Sequence, residues 1–146
     1  MVTLNNSKFV YIIYIRTTPE RIWDSITKPE LTRQYWGYEN ISEWKLGYDW
    51  QHVFADNKRK LKQIGEVIKV IPRKLLRLSW VDPHNLNDSS QVTFEIESIN
   101  GIRLKVTHNN FKSGSKMFEQ IKDRWPKVLF SMKSFLENGK PLITWN

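Results

Sequence analysis

The sequence predicts an α+β fold in which a curved antiparallel sheet of about six strands wraps around one long C-terminal helix. Three observations carry this prediction. A β-branched, aromatic segment lies near the start, alternating segments fill the middle, and an apolar stripe at helical spacing lies near the end. No Pro/Gly/Ser-rich linker and no internal repeat divides the 146 residues, so we expect a single domain over residues 1–146.

The first strand is predicted over residues 8–16, where apolar residues occupy both faces. Two short helices should follow it. Thr18 can accept hydrogen bonds from first-turn amides, and Pro19 suits the first helical position. Thr27 and Glu30 have the spacing of a capping box, which predicts a second helix ending near residue 35.

The middle of the chain reads as alternating strands. We predict strands over residues 48–54, 61–71 and 75–81, with an aromatic-rich loop over 37–47 and a polar loop over 82–90. Within the second of these strands Glu66 alternates with Ile68 and Val70. That alternation predicts that Glu66 points inward, where its carboxyl would have a raised pKa unless it is paired.

The next hairpin can be predicted in register. A two-residue turn would set Ile96 against Lys105, whereas a three-residue connection sets Ile96 against Leu104. We expect the second register because it keeps apolar residues on one face, with a bulge and a positive φ at Gly101. The same register carries His108 onto the apolar face.

A long helix is predicted over residues 115–138, ended by Asn138-Gly139. Phe130 lies off its apolar stripe, which predicts either a dimer or partner contact, or a contact with Ile143 and Trp145 of the C-terminal tail. The stripe itself consists of Trp125, Val128, Leu129, Met132, Phe135 and Leu136.

Composition excludes several classes of function. The chain has no Cys, so disulfides, thiolate zinc sites, iron–sulfur ligation and Cys nucleophiles are excluded. No secretory signal and no apolar run near the length of a membrane span is present, so we expect a cytoplasmic protein without membrane insertion. A zinc site from His52, His84 and His108 is not expected, because no ligand spacing supports it.

The net charge of +8 raises nucleic acid as a partner. Residues 58–77 carry eight basic side chains and one acidic one, but seven of the eight basic residues fall in two clusters, at opposite ends of a strand and roughly 30 Å apart. Separated clusters follow a phosphate backbone poorly, so nucleic-acid binding is not expected. A basic cluster near the mouth of a cavity could still attract an anionic ligand.

Several segments resemble, in order, the activator of heat-shock-protein-ninety ATPase homologue (Aha-type) family, within the START and birch-pollen-allergen-like (SRPBCC) helix-grip superfamily. They include residues 14–23, 29–36, 65–68 and 125–133. One departure is Lys28, where relatives usually carry an Asp cap. The resemblance implies a cavity between the sheet and the C-terminal helix, which in many members of the superfamily holds a lipid, a polyketide or another apolar molecule.

Three functions are compatible with these features. The first is a binding module for an apolar or amphipathic ligand, of lipid or flavonoid type, in a monomer or weak dimer without cofactor or metal. The second is a protein-interaction role, with a chaperone as a possible partner. The third is a cyclase- or aromatase-type enzyme with His108 and Glu66 as acid and base, although the resemblance implies no fixed catalytic set and we assign no catalytic residue.

The candidate ligand-binding residues are those expected on inward faces or loops around the long helix. Each large ring also has a plain interpretation as ordinary core. The candidates are Trp36, Trp44, Trp50, His52, Glu66, Ile68, Leu78, Trp80, Phe94, His108, Trp125, Leu129 and Met132.

Overall fold

The predicted strands and helices occur in the predicted order, and two further strands are present. The computed structural model describes residues 2–5 and 8–142. The strands are β1 (Val2–Asn5), β2 (Lys8–Ile15), β3 (Tyr38–Ser42), β4 (Asp49–Phe54), β5 (Leu61–Ile71), β6 (Leu75–Asp82), β7 (Asn85–Ser98) and β8 (Ile102–Asn109), and the helices are α1 (Pro19–Thr27), α2 (Pro29–Trp36) and α3 (Met117–Asn138).

The strands form one open, curved antiparallel sheet in the order β1-β2-β8-β7-β6-β5-β4-β3. α3 lies against the inner face of this sheet, where its Trp125 ring contacts Phe94 of β7 and Trp80 of β6. The α+β class, the curved sheet, the long C-terminal helix and the two short helices are therefore confirmed.

Two edge strands were not predicted. The short β1 extends the sheet beyond β2, and β3 occupies part of the segment expected to be a loop. Glu39 and Asn40 are poor strand formers, but both are buried in β3. The Glu39 carboxylate pairs with Arg33 and Arg59, which compensates its desolvation. The expected polar loop over 82–90 is also shorter, because β7 begins at Asn85.

Helix starts agree with the sequence in one case and differ in the other. The Thr18 hydroxyl accepts from the Arg21 amide at 3.2 Å, as expected for an N-cap. The predicted capping box at Thr27 is wrong, because Thr27 is the last residue of α1 and its hydroxyl donates to the Trp23 carbonyl at 2.8 Å. α2 starts from Lys28 without a side-chain cap.

The β7–β8 hairpin has the predicted register. Ile96 lies opposite Leu104 and Val92 lies opposite His108. Gly101 has a φ of 112°, which suits a residue without a Cβ. His108 therefore faces α3, as its position in the alternation required.

The stripe of α3 is buried along its length, apart from the half-buried Phe135. Phe130 is 49% exposed, and its ring makes a T-shaped contact with the Tyr11 ring at 6.3 Å between centroids. The prediction that Phe130 lies off the stripe is thus confirmed. Ile143 and Trp145, the other partners considered for it, lie outside the described residues.

Candidate functional site

Three tryptophans from three elements meet between the sheet and α3. Trp36 ends α2, Trp80 lies on β6 and Trp125 lies on α3. The ring centroid of Trp125 is 5.5 Å from that of Trp36 and 5.6 Å from that of Trp80. All three rings are buried. They lie between the sheet and α3, where the family resemblance implied a cavity.

A narrow pocket remains beside these rings. Its volume is about 50 Å³, well below the roughly 150 Å³ of an apolar cavity that accepts benzene. It continues outward into a recess of about 410 Å³ with which it shares Trp36, Tyr38, Gln120, Arg124 and Val128. The pocket lining is completed by His52, Lys62, Gln63, Trp80, Met117, Ile121 and Trp125.

His52 forms the buried polar wall of the pocket. Its Nδ1 lies 2.6 Å from Asn40 Oδ1, and the Asn40 amide nitrogen donates to the Ile26 carbonyl. Asn40 Oδ1 must therefore accept, which places the imidazole proton on Nδ1. Burial, with the nearby charges of Lys62 and Arg124, lowers the pKa of His52 to about 3. His52 is neutral at ordinary pH.

His108 lies behind Trp125, and both of its ring nitrogens are engaged. Ser90 Oγ donates to the Trp80 carbonyl, so His108 Nε2 donates to Ser90 Oγ at 2.7 Å. Nδ1 accepts from Trp125 Nε1 at 3.1 Å. Burial lowers the pKa of His108 to about 3. This imidazole orients Trp125 and has no free nitrogen for a ligand or a proton transfer.

The prediction that Glu66 points inward is wrong. The Glu66 side chain is exposed. In the β4–β5 register Glu66 lies opposite Asp49, so its side chain points to the face of the sheet opposite to that of Trp50. A bulge between Val67 and Lys69 reverses the alternation, so counting back from Ile68 gives the wrong face. His108 also lies three strand positions away, roughly 14 Å in the plane of the sheet. The structure does not bring the proposed acid–base pair together.

The other predicted residues divide into pocket, core and periphery. Trp36, His52, Trp80 and Trp125 line the pocket. Trp44 is half-buried and donates from Nε1 to the Thr27 carbonyl at 2.9 Å, and Ile68 is half-buried beside the bulge. The remaining five residues are buried in the hydrophobic core: Trp50, Leu78, Phe94, Leu129 and Met132.

Sequence reasoning missed the residues that enclose the entrance. Met117 and Ile121 continue the apolar stripe of α3 toward its N-terminus at four-residue spacing, so extending the stripe would have found them. Gln63 precedes the buried Val67 by four residues on β5 and shares its inward face. Lys62 belongs to the basic segment 58–77, which was considered as an attractor of an anionic ligand. No signal in the sequence separates Gln120 and Arg124 from other surface residues.

Comparison with known proteins identifies the family. Residues 16–137 match the family model described as "Activator of Hsp90 ATPase homolog 1-like protein". The chain belongs to this family. Among curated protein sequences, none matches it.

Solved structures of this fold align over most of the chain. The solution structure of the Aha1 dimer from Colwellia psychrerythraea is 21% identical with a TM-score of 0.73, covering 91% of this chain and 98% of that one. Protein MLL2253 from Mesorhizobium loti is 22% identical with a TM-score of 0.73, covering 89% and 96%. DynU16, a protein in the dynemicin biosynthetic locus, is 20% identical with a TM-score of 0.73, covering 94% of this chain and 49% of its own.

The part of the chain that the structure describes contains neither a membrane-spanning helix nor a metal-binding cluster. No helix within residues 2–5 and 8–142 is long and apolar enough to cross a membrane. Over the same ranges, no group of three or more His, Asp and Glu side chains is placed to hold a metal ion.

Proposed function

We propose that this protein is a binding module for a small amphipathic molecule, seated between α3 and the sheet. The observation that carries the proposal is the aromatic pocket of Trp36, Trp80 and Trp125, which continues into an outer recess. Apolar walls with a few convergent polar groups are typical of ligand sites. Membership of the family, and the likeness to a protein in a biosynthetic locus, support the same function.

The dimensions of the site favour a small ligand over a lipid. The inner pocket of about 50 Å³ is too small for a complete ring unless a side chain moves. The outer recess of about 410 Å³ is large enough for one or two rings. We therefore propose a compact ligand whose ring lies in the recess against Trp36, with one edge inserted toward Trp125. A long acyl chain or a flavonoid requires the tryptophans to rearrange.

A titration followed by NMR tests this proposal. Three probes are added to the labelled protein: neutral 2-naphthamide, dodecanoate and naringenin. We expect 2-naphthamide to produce saturable shifts at the indole signals of Trp36 and Trp125. The Trp23 indole on α1 does not line the pocket and should not move. Absence of saturable shifts with all three probes, or equal shifts at Trp23, would contradict the proposal.

A substitution at the neck of the pocket gives an independent check. Val128 is buried and borders both the inner pocket and the outer recess. Val128→Phe should fill the neck and weaken binding of 2-naphthamide. The matched control is Val81→Phe, which enlarges a half-buried valine bordering a groove on the opposite face of the sheet. If both variants are folded and bind like the wild type, the ligand does not sit in this pocket.

A protein-contact role is the second candidate, and Phe130 is the observation that favours it. Its ring is 49% exposed on α3, and the Colwellia relative is described as a dimer. We propose weak self-association through this face. Sedimentation should show association that Phe130→Ser removes, while a monomeric wild type at all concentrations would contradict it. Stimulation of a chaperone ATPase stays a prediction of the family resemblance alone.

A further inference from the structure

Two cationic side chains from different elements border the inner pocket. Lys62 lies on β5 and is half-buried, and Arg124 lies on α3 and is exposed. Ion pairs within residues 8–142 involve neither of them at N–O distances up to 4.0 Å. Two acidic residues lie in these surroundings: Asp82, which acts on Lys62, and Asp123, which lines the outer recess.

These two charges act on each other and on the interior of the pocket. Burial and the charge of Arg124 lower the pKa of Lys62, with Asp82 opposing them. The same two cations contribute to the low pKa of His52. Like charges beside a partly desolvated pocket are unfavourable when the pocket is empty. An anion placed between them would remove that repulsion.

A third polar group indicates that the pocket binds a ligand. Gln63 lines the same pocket and is only 8% exposed. Its Oε1 is buried and has no hydrogen-bond partner among the described residues. A buried acceptor without a partner is costly and calls for an explanation. A ligand that donates a hydrogen bond inside the pocket would satisfy it.

We infer that the ligand is an aromatic carboxylic acid that also carries a hydrogen-bond donor such as a hydroxyl group. Its carboxylate lies between Lys62 and Arg124, and the donor reaches Gln63 Oε1. This inference rests on the proposed function, since it places the charged group at the mouth of the same pocket. The ring lies against Trp36 in the recess, and Lys127 in that recess adds to the positive potential. Arg offers a bidentate fork for a carboxylate and Lys a point charge, so the two side chains can bind one anion together.

A pair of probes with one ring system and different charge tests the inference. 2-Naphthoate carries a carboxylate where 2-naphthamide carries a neutral amide of nearly the same shape. The wild type should bind 2-naphthoate about tenfold more tightly than 2-naphthamide at low salt. This preference should shrink as salt is added, because the rim is solvent-accessible.

Three variants show which side chains cause the preference for 2-naphthoate over 2-naphthamide. Lys62→Gln and Arg124→Gln should each weaken 2-naphthoate about threefold or more and leave 2-naphthamide within about twofold. The matched control is Lys69→Gln, an exposed lysine farther along β5 that does not line the pocket. It should change neither affinity.

The outcomes separate this inference from the proposed function. If both probes bind equally and the Lys62 and Arg124 variants change nothing, the carboxylate site is wrong while the binding module stands. If neither probe binds, the proposed function fails and this inference fails with it. An equal loss for Lys69→Gln would show a general charge effect and would also overturn the site.

Discussion

The two buried histidines make the stability of this protein depend on pH in a predictable direction. His52 and His108 each have a folded-state pKa near 3, against an ordinary value of 6.5. Above about pH 6.5 both states of each imidazole are neutral and contribute no pH dependence. As the pH falls below that value, the two imidazoles bind protons in the unfolded chain but stay neutral in the folded chain. Stability must therefore fall on acidification.

The size of the effect follows from the shift. At about pH 5 the medium is roughly 1.5 units below the ordinary imidazole pKa, and each unit corresponds to about 1.4 kcal/mol. Each histidine therefore costs about 2 kcal/mol of unfolding free energy between about pH 7.5 and about pH 5. Together they cost about 4 kcal/mol, a large share of the stability of an ordinary domain.

Urea unfolding at a series of pH values, with one histidine replaced at a time, measures each contribution. His108→Gln removes the titrating group and should reduce the loss between those pH values by about 2 kcal/mol. His84→Gln, at an exposed position in the β6–β7 turn, is the matched control and should retain the wild-type dependence. If His108→Gln loses as much stability on acidification as the wild type, then His108 is not the desolvated group that its contacts imply.

Three substitutions test the packing. Gly65→Ala should cost about 3 kcal/mol, because a Cβ there would overlap the Ser79 carbonyl that accepts from Trp50; a neutral effect in urea unfolding would contradict this close approach. Leu129→Ala, at a fully buried position of α3, should lower the unfolding free energy by about 3 kcal/mol, and a loss under about 1 kcal/mol would indicate a loose core. Thr18→Ala should cost about 1 kcal/mol through the lost cap of α1, and an unchanged midpoint of thermal unfolding would count against that cap.

The hairpin and the edge strand show what the sequence could and could not predict. The β7–β8 register was predictable because two alternating segments constrain each other, and a slip would set Ile96 against Lys105. β3 was not predictable, because its polar residues are poor strand formers held by partners distant in the chain. Buried Glu39 is stabilised by an ion pair with Arg59, and buried Asn40 by a hydrogen bond with His52. Contacts between residues this far apart in the chain leave no pattern in the local sequence of β3.

The candidate site was predictable in its aromatics and not in its polar rim. Five tryptophans were named from loops, inward faces and the family pattern. Trp36, Trp80 and Trp125 line the pocket, whereas Trp44 and Trp50 do not. Glu66 was misplaced because one bulge reverses the alternation of β5. The volume left between three large rings depends on their side-chain torsions, which a sequence pattern does not encode. The narrowness of the pocket therefore appears only in the structure.

The most direct test of the binding module is a measurement of intermolecular nuclear Overhauser effects between bound 2-naphthamide and the protein. The ring protons should give cross-peaks to the Val128 methyl groups and to the Trp36 indole, which border both the pocket and the recess. Cross-peaks confined to exposed side chains such as Tyr14 or Leu86, with none to Val128 or Trp36, would contradict the account.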